Sequence, residues 1–229
     1  MNEKRNKTIK IAFWSSVSCC ILIFQIASPG VGLHEKLDNR NNQLPSILEQ
    51  EIVREINLAR QHPKKYALFL ERQKPYYVGK FIKRPGEPSI LTNEGISAVN
   101  EAIRFLKSAK PIAPLKLSNG MSRAAMDHVK DQGKRGTLGH QGSDHSSPGD
   151  RVNRYGTWRL AVGENISYGR GKARDIVMGL IVDDGVPSRG HRENLFDPRY
   201  RLVGVACGQH KTFRVMCVID FAGDFIEKK

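Results

Sequence analysis

Two apolar runs close the chain, and they constrain its fold more than any other feature. They read RLVGVACG (201–208) and FRVMCVIDFAG (213–223), and QHKT joins them. Apolar runs of this length, separated by a short polar turn, are typical of an antiparallel hairpin. Cys207 and Cys217 lie one in each run. They either form a disulfide in an oxidising compartment or remain two buried thiols, and the strand register that decides between these is not encoded in the pattern.

Four segments with apolar residues at helical spacing precede this hairpin. They are expected over residues 47–62, 93–109, 119–133 and 172–184. Helices followed by a strand pair, with no internal repeat, predict an α+β fold in which helices pack on a small antiparallel sheet. One domain at residues 46–229 is the simplest division of the chain.

Polar residues predict where these helices begin and end. Ser46 and Glu49 fit a capping box at the start of the first helix. Thr92 is expected to cap the second helix and Ser118 the third, which Gly133 should terminate. The intervening segments, rich in proline, glycine or serine, are interpreted as loops at residues 73–91, 133–156 and 185–201.

The N-terminus has the pattern of an export signal. A basic stretch, MNEKRNKTIK (1–10), precedes an apolar stretch, IAFWSSVSCCILIFQIA (11–27), and small residues follow. Residues 1–34 are therefore interpreted as a signal peptide or, alternatively, an uncleaved N-terminal anchor, and residues 35–45 as a linker. Either interpretation places the protein outside the cell or in the cell envelope.

The chain is strongly basic, with a formal net charge of +14. This charge favours anionic partners such as lipid, cell-wall polymer or nucleic acid, and it equally promotes solubility. No basic strand with interleaved aromatic residues accompanies it, so a nucleic-acid partner is not expected. Contact with a membrane is expected only through an uncleaved N-terminus.

Several patterns typical of catalytic or metal centres are missing from the sequence. It contains no H-E-x-x-H helix, no C-x-x-C pair and no G-x-x-x-x-G-K-[ST] loop. Residues 120–124 lack the last glycine of a nucleophile elbow. The run from His191 to Glu193 resembles one half of a zinc-deaminase motif, but its P-C-x-x-C half is missing. No catalytic residue can be named, and an enzyme is not the favoured interpretation.

Three candidate site residues lie beside glycines, which let the backbone approach a cleft closely. They are His140 in LGHQGSD (138–144), Glu164 in VGENISYG (162–169) and His191 in SRGHREN (188–194). Two imidazoles and a carboxylate are plausible ligands for Zn²⁺ or another divalent cation. Taken singly, each also fits a structural role: a histidine in a turn, or a glutamate that caps a helix or pairs with an arginine.

The order of these motifs resembles the CAP superfamily, also called the SCP-like domain, in its bacterial form. HQGSDHSSPGDRVNRYG (140–156), GENI (163–166) and SRGHRENLFDPRY (188–200) follow the family's order, and REINLARQHPKKYA (54–67) resembles its first helix. The family includes cysteine-rich secretory proteins, antigen 5 and the plant pathogenesis-related group 1. The resemblance implies an α-β-α sandwich, with a small antiparallel sheet between helical layers.

The resemblance also implies a cleft that carries two histidines and two glutamates and binds a divalent cation in several members. His140, Glu164 and His191 match the first His, the first Glu and the second His. The second Glu has no match, and only Asp175, Asp183 and Asp184 precede His191 in that region. His145 stands where bacterial members usually have glycine, and it could add a ligand or restrict the loop.

Three functions are compatible with these features. The favoured one is a secreted, non-enzymatic binding module for a lipid, a sterol or an anionic cell-surface ligand, with a divalent-cation site in its cleft. The second is a metal-assisted hydrolase or protease in which Glu164 acts as general base. The third is a structural protein of the cell envelope.

Overall fold

The structure, a computed structural model, describes residues 45–228. The predicted signal or anchor and nearly all of the linker lie outside these residues. Within them, no helix is both long and apolar enough to cross a membrane. The helices are α1 (Ile47–Gln61), α2 (Pro63–Glu71), α3 (Ile96–Ser108), α4 (Asn119–Arg135), α5 (Pro148–Tyr155), α6 (Ala173–Val182) and α7 (Gly190–Phe196). The strands are β1 (Tyr77–Val78), β2 (Phe81–Ile82), β3 (Ile90–Leu91), β4 (Lys116–Leu117), β5 (Gly156–Tyr168), β6 (Leu202–His210) and β7 (Arg214–Glu227).

Serine side chains begin two of the predicted helices. The Oγ of Ser46 accepts a hydrogen bond from the N–H of Glu49 at 3.3 Å, and Glu49 accepts one from the N–H of Ser46 at 2.6 Å. This is the predicted capping box at the start of α1. Ser118 likewise accepts from the N–H of Met121 at the start of α4. Both predictions are confirmed.

Two other predicted helix boundaries are wrong. Thr92 does not cap α3, which begins after Gly95, because its hydroxyl donates instead to the carbonyl of Lys80 at 2.6 Å. The helix α4 does not end at Gly133 but continues to Arg135. Gly136 ends it in the left-handed conformation, with φ of +76°, which a glycine adopts without steric cost.

The sequence pattern predicts none of the three short helices α2, α5 and α7. Proline stands at the first position of α2 and of α5, where a missing N–H costs no intrahelical hydrogen bond. Helices this short depend on packing against the rest of the fold for their stability. A sequence pattern of one or two turns carries little information about that packing.

A four-stranded sheet with strand order β4-β6-β7-β5 forms the centre of the domain. Strands β6 and β7 form the predicted antiparallel hairpin, and β5 pairs antiparallel with the outer side of β7. The short strand β4 pairs parallel with β6, so the sheet is not purely antiparallel. Cys207 and Cys217 lie directly opposite each other and form a disulfide.

Helices cover both faces of this sheet. Val205 and Ile219 point to one face and pack in the core with α1, α2, α3 and α6. Their neighbours Ala206 and Val218 point to the other face and pack against α4. Because successive side chains of a strand alternate between faces, the hairpin serves both layers. The observed architecture is the expected α-β-α sandwich.

Residues 73–91 are more ordered than the loop that their prolines predict. A turn of 3-10 helix (Lys74–Tyr76) leads into a second small sheet of strand order β1-β2-β3. The N–H and the hydroxyl of Thr92 both donate to the carbonyl of Lys80, at 2.8 and 2.6 Å. These bonds fix the end of the small sheet to the turn between β1 and β2.

Candidate functional site

The candidate site lies at β5, which is an edge strand of the central sheet. Glu164 and Asn165 are consecutive residues of this strand, so their side chains point to opposite faces. Glu164 contacts the ring of His140, and Asn165 contacts the backbone carbonyl of His191. The site is therefore assembled around one short stretch of β5.

On one face, His140 pairs with Glu164. The Nδ1 of His140 lies 2.7 Å from Oε1 of Glu164. Because an ionised carboxylate only accepts hydrogen bonds, Nδ1 carries the proton in this pair. The Glu164 side chain is 1% exposed and the His140 side chain 36% exposed. Glu164 thus orients the ring of His140. The other ring nitrogen, Nε2, has no hydrogen-bond partner among residues 45–228.

Arg151 of α5 neutralises Glu164 from the other side. Its Nη2 donates to Oε2 of Glu164 at 2.7 Å, and its Nη1 donates to the carbonyls of His140 and Ser146. Burial opposes the charge of Glu164, but the hydrogen bond from His140 and the charge of Arg151 outweigh burial and lower the pKa of the carboxyl. One guanidinium therefore fixes both the acid and the loop that carries His140.

The second candidate histidine, His191, pairs with Asp183. The Nδ1 of His191 lies 2.6 Å from Oδ1 of Asp183, and the N–H of His191 donates to Oδ2 at 2.9 Å. Asp183 ends α6 in the left-handed conformation, and His191 lies in the first turn of α7. The Asp183 side chain is 2% exposed and that of His191 is 24% exposed. Of the three aspartates considered from the sequence, Asp183 is the one that contacts a candidate histidine.

Two asparagines tie the histidine–carboxylate pairs together. The side chain of Asn165 donates to the carbonyl of His191 at 2.9 Å. The side chain of Asn194 donates to Oδ1 of Asn165 at 2.9 Å and to the carbonyl of Glu164 at 3.3 Å. The three residues predicted from the sequence, His140, Glu164 and His191, therefore all meet the same stretch of β5.

A second buried acid lies beside Glu164. Asp220 of β7 is opposite Glu164 in the strand register and is fully buried. Neither of its carboxylate oxygens has a hydrogen-bond donor among the described residues. Burial and the neighbouring charge of Glu164 raise the pKa of Asp220 well above its usual value. The raised pKa of Asp220 favours its protonated form, whereas the lowered pKa of Glu164 favours its ionised form.

The residues missed by sequence reasoning are the supporting ones: Arg151, Asn165, Asn194 and Asp220. The two asparagines are part of the GEN and HREN motifs, so these motifs could have indicated them. Arg151 lies inside the segment 140–156, and Asp220 lies in none of the motifs. His145, considered as a third imidazole, lies exposed in a turn with φ of +64°, and its N–H donates to the carbonyl of Gly142.

The positions of these side chains can be compared with the cation centre expected from the sequence. Among residues 45–228, no three His, Cys, Asp or Glu side chains are grouped closely enough to hold a metal ion. Both oxygens of Glu164 are already bonded, to His140 and to Arg151. A three-ligand centre of His140, Glu164 and His191 therefore has no support in this arrangement, and a cation site stays a prediction.

The chain matches a known protein family over most of the described domain. Residues 54–221 match the profile of the cysteine-rich secretory protein family, CAP. The uncharacterized protein YkwD of Bacillus subtilis is 27% identical over 94 residues, which are 41% of this chain and 35% of YkwD. The chain thus spans about a third of the length of that curated relative.

Three solved structures of low sequence identity align with part of the chain. An outer surface protein of Borrelia burgdorferi aligns over 51% of this chain and 80% of its own, with 17% identity and a TM-score of 0.42. An extracellular protein with an SCP domain from Bacillus anthracis aligns over 54% of this chain and 38% of its own, with 20% identity and a TM-score of 0.41. A cysteine-rich secretory protein of Staphylococcus aureus aligns over 56% of this chain and 38% of its own, with 17% identity and a TM-score of 0.36.

The family profile matches more than half of the chain and includes every residue of the two histidine–carboxylate pairs. This chain belongs to the cysteine-rich secretory protein (CAP) family.

Proposed function

We propose that this chain is an extracellular, non-enzymatic binding domain that holds a divalent cation between the imidazoles of His140 and His191. One observation carries the proposal: each imidazole is held through Nδ1 by a buried carboxylate. The arrangement leaves Nε2 of both rings as the nitrogen with a free lone pair. Histidine ligands of metal ions usually donate their other ring N–H to a carboxylate in this way.

In this proposal Glu164 and Asp183 do not contact the cation. They fix the tautomer and the orientation of the two rings and raise the basicity of Nε2. Two imidazoles supply only part of a coordination sphere, so water or a bound ligand would supply the rest. Zn²⁺ suits such a donor set, and a cation with open positions could take part in binding a second molecule.

The burial of Glu164 argues against the hydrolase alternative. A general base must reach the proton of a water molecule or a substrate. The Glu164 side chain is 1% exposed, and its two oxygens are bonded to His140 and Arg151. The pair with Arg151 also lowers its basicity. We therefore favour a binding function over hydrolysis.

The chemistry of the surface favours an anionic ligand over a sterol. A groove of about 670 Å³ lies between α1 and the start of α6, and its lining includes Glu51, Arg54, Glu55 and Arg174. Sterol and lipid-tail sites are lined mostly by apolar side chains. The net charge of +14 instead suits anionic molecules of a cell surface.

An extracellular or envelope location is supported by the disulfide between Cys207 and Cys217. Disulfides persist in oxidising compartments and are rare in the cytosol of most organisms. The export-signal pattern of residues 1–34 points the same way.

Calorimetric titration of the full chain with Zn²⁺ tests the cation site. We expect one ion per chain, with binding abolished in both His140→Ala and His191→Ala and unchanged in His145→Ala. Asp183→Asn should weaken affinity by about 10- to 100-fold, because it removes the carboxylate that orients His191. Two ions per chain, or full binding in either single histidine variant, would show that the imidazoles do not share a cation.

A further inference from the structure

One face of the small sheet formed by β1, β2 and β3 is apolar and exposed. Val78, Phe81 and Leu91 lie opposite one another across its three strands. Their exposed fractions are 55%, 43% and 43%. In the other row, Tyr77 packs against the main core, whereas Ile90 is 43% exposed. The sheet thus presents a fixed row of three apolar side chains on the side away from the core.

Basic residues surround this row. Lys80 stands in the turn between β1 and β2, and the Nζ of Lys83 lies 5.9 Å from the centre of the Phe81 ring. Residues 72–92 contain five basic side chains and one acid, Glu87. Glu87 is already paired with Arg84 at 3.3 Å. The lysines therefore face solvent without a nearby acid among their own strands.

We propose that this face is a docking surface for an anionic lipid bilayer. Val78, Phe81 and Leu91 enter the interfacial region, and Lys80 and Lys83 contact lipid headgroups. Apolar side chains flanked by lysine are the chemistry of peripheral membrane contact, in which burial of apolar area and attraction to anionic lipid act together. The long lysine stems reach the headgroups while the apolar row enters below them.

Charge decides among the occupants that could cover such a face. A second copy of the chain carries the same net charge of +14 and the same basic fringe, so two copies repel each other at this face. The N-terminal residues 1–10 are also basic, with Lys4, Arg5, Lys7 and Lys10 against Glu3. An anionic surface alone complements both the apolar row and its fringe.

This membrane contact differs from the one expected from the sequence, which ran only through the N-terminus. It uses folded residues, and its shape is set by the bonds of Thr92 to Lys80. It shares no residue with the histidine–carboxylate pairs, so it is independent of the proposed cation site.

Hydrogen exchange of the full chain in lipid nanodiscs tests the proposal. Neutral discs of phosphatidylcholine are compared with discs that also contain phosphatidylglycerol, so that any N-terminal anchoring is common to both. Exchange of backbone amides in residues 77–92 should slow by about tenfold in the anionic discs alone, because docking excludes water from these strands. Exchange in α4 should be the same in both.

Variants separate the apolar and the electrostatic contributions. Phe81→Ser with Leu91→Ser, and separately Lys80→Glu with Lys83→Glu, should each remove the slowing. The matched control is Leu160→Ser, since Leu160 is an apolar side chain 77% exposed on β5. The variant His140→Ala with His191→Ala should dock normally, which distinguishes this proposal from the cation site.

Three results would overturn the proposal. The first is equal exchange in neutral and anionic discs. The second is exchange in residues 77–92 that is as slow without any bilayer as in the anionic discs, which would assign the face to another part of the chain or to a second copy. The third is full docking of the lysine variant, whose exposed substitutions leave the packing of Tyr77 on the core intact.

Discussion

Single residues carry the electrostatics of the site, and Glu164 is the most constrained of them. It is a buried carboxylate held by His140 and by Arg151, and the buried Asp220 lies opposite it in the strand register. Such a cluster is costly to bury and even more costly to break, since removing one partner leaves a charge without compensation. Its members therefore give clear tests of how the site is held.

Substitution of Arg151 by methionine should destabilise the domain strongly. It leaves Glu164 ionised, buried and without its cationic partner, and it removes the bonds to the carbonyls of His140 and Ser146. We expect a loss of about 3–5 kcal/mol in the free energy of unfolding, measured by urea denaturation at pH 7. Arg154→Met is the matched control on the same helix.

Arg154 pairs with Asp127 and Asp144 at the surface, where its side chain is 40% exposed. Exposed pairs of this kind contribute about 1 kcal/mol or less. If the two variants lost equal stability, the pair of Arg151 with Glu164 would be no more than a surface-like contact.

Substitution of Asp220 by asparagine should stabilise the domain at neutral pH. Burial and the charge of Glu164 raise the pKa of Asp220 in the folded state, so the unfolded chain loses this proton at a lower pH than the folded domain does. Ionisation of the unfolded chain then works against folding, and this penalty grows as pH rises above the unfolded pKa of about 4. Asparagine cannot ionise in either state, and its N–H can donate to Glu164.

The measurement is the difference in unfolding free energy between Asp220→Asn and the parent chain across pH 4 to 8. We expect the variant to be more stable than the parent at pH 7, with the difference shrinking toward pH 4. The lowered pKa of Glu164 stabilises the folded domain at pH values above the pKa of Glu164 in the unfolded chain. This stabilisation is lost as pH falls through the pKa of Glu164 in the folded state. That contribution is common to both proteins and leaves the trend of the difference unchanged. A variant less stable than the parent at every pH would contradict a neutral Asp220.

The sequence could predict the histidines but not their supports. His140, Glu164 and His191 stand in motifs whose order resembles a known family, so the motifs alone are enough to name them. Asp183 could only be named as one of three aspartates. The role of Arg151 could not be predicted although it lies in the segment 140–156, and Asp220 lies in no motif, because both roles depend on burial beside Glu164.

At the scale of helices and strands, the sequence predicted the features that depend on contacts between residues close to each other in the chain. The serine caps of α1 and α4 are confirmed, because a capping bond spans only three residues. Thr92 failed as a cap because a carbonyl of the small sheet, that of Lys80, takes its hydroxyl. The short helices α5 and α7 escaped prediction because their stability comes from tertiary packing.

The end of α4 gives a prediction at this scale. Gly136 takes φ of +76° there, whereas Gly171 has an ordinary φ and open space around its Cα. Gly136→Ala should lose about 1–2 kcal/mol of stability, because a side chain is strained in the left-handed region. Gly171→Ala should be neutral within about 0.5 kcal/mol. Thermal unfolding of both variants checks this, and equal stability would place the end of the helix elsewhere.

At the scale of the whole molecule, the hairpin of β6 and β7 joins the two helical layers. Its alternate residues pack with α1 on one face and with α4 on the other, and β5 extends the same sheet to the candidate site. The sequence predicted this hairpin and the α+β class, since the strands are long and strongly apolar. It left the disulfide open because a register shift of one residue turns the two cysteines to opposite faces.

Because both layers share the hairpin, loss of the disulfide should weaken the entire domain. The bond between Cys207 and Cys217 closes a short loop within the central strands. Closing such a loop restricts the unfolded chain and contributes about 3 kcal/mol. For the double variant Cys207→Ala, Cys217→Ala we therefore expect the opening free energy measured by native-state hydrogen exchange to fall by about 3 kcal/mol. The fall should be equal for the slowest amides of α1 and of α4. Reduction of the parent chain should give the same result. Loss of protection confined to β6 and β7 would instead mean that the two layers hold together without the hairpin.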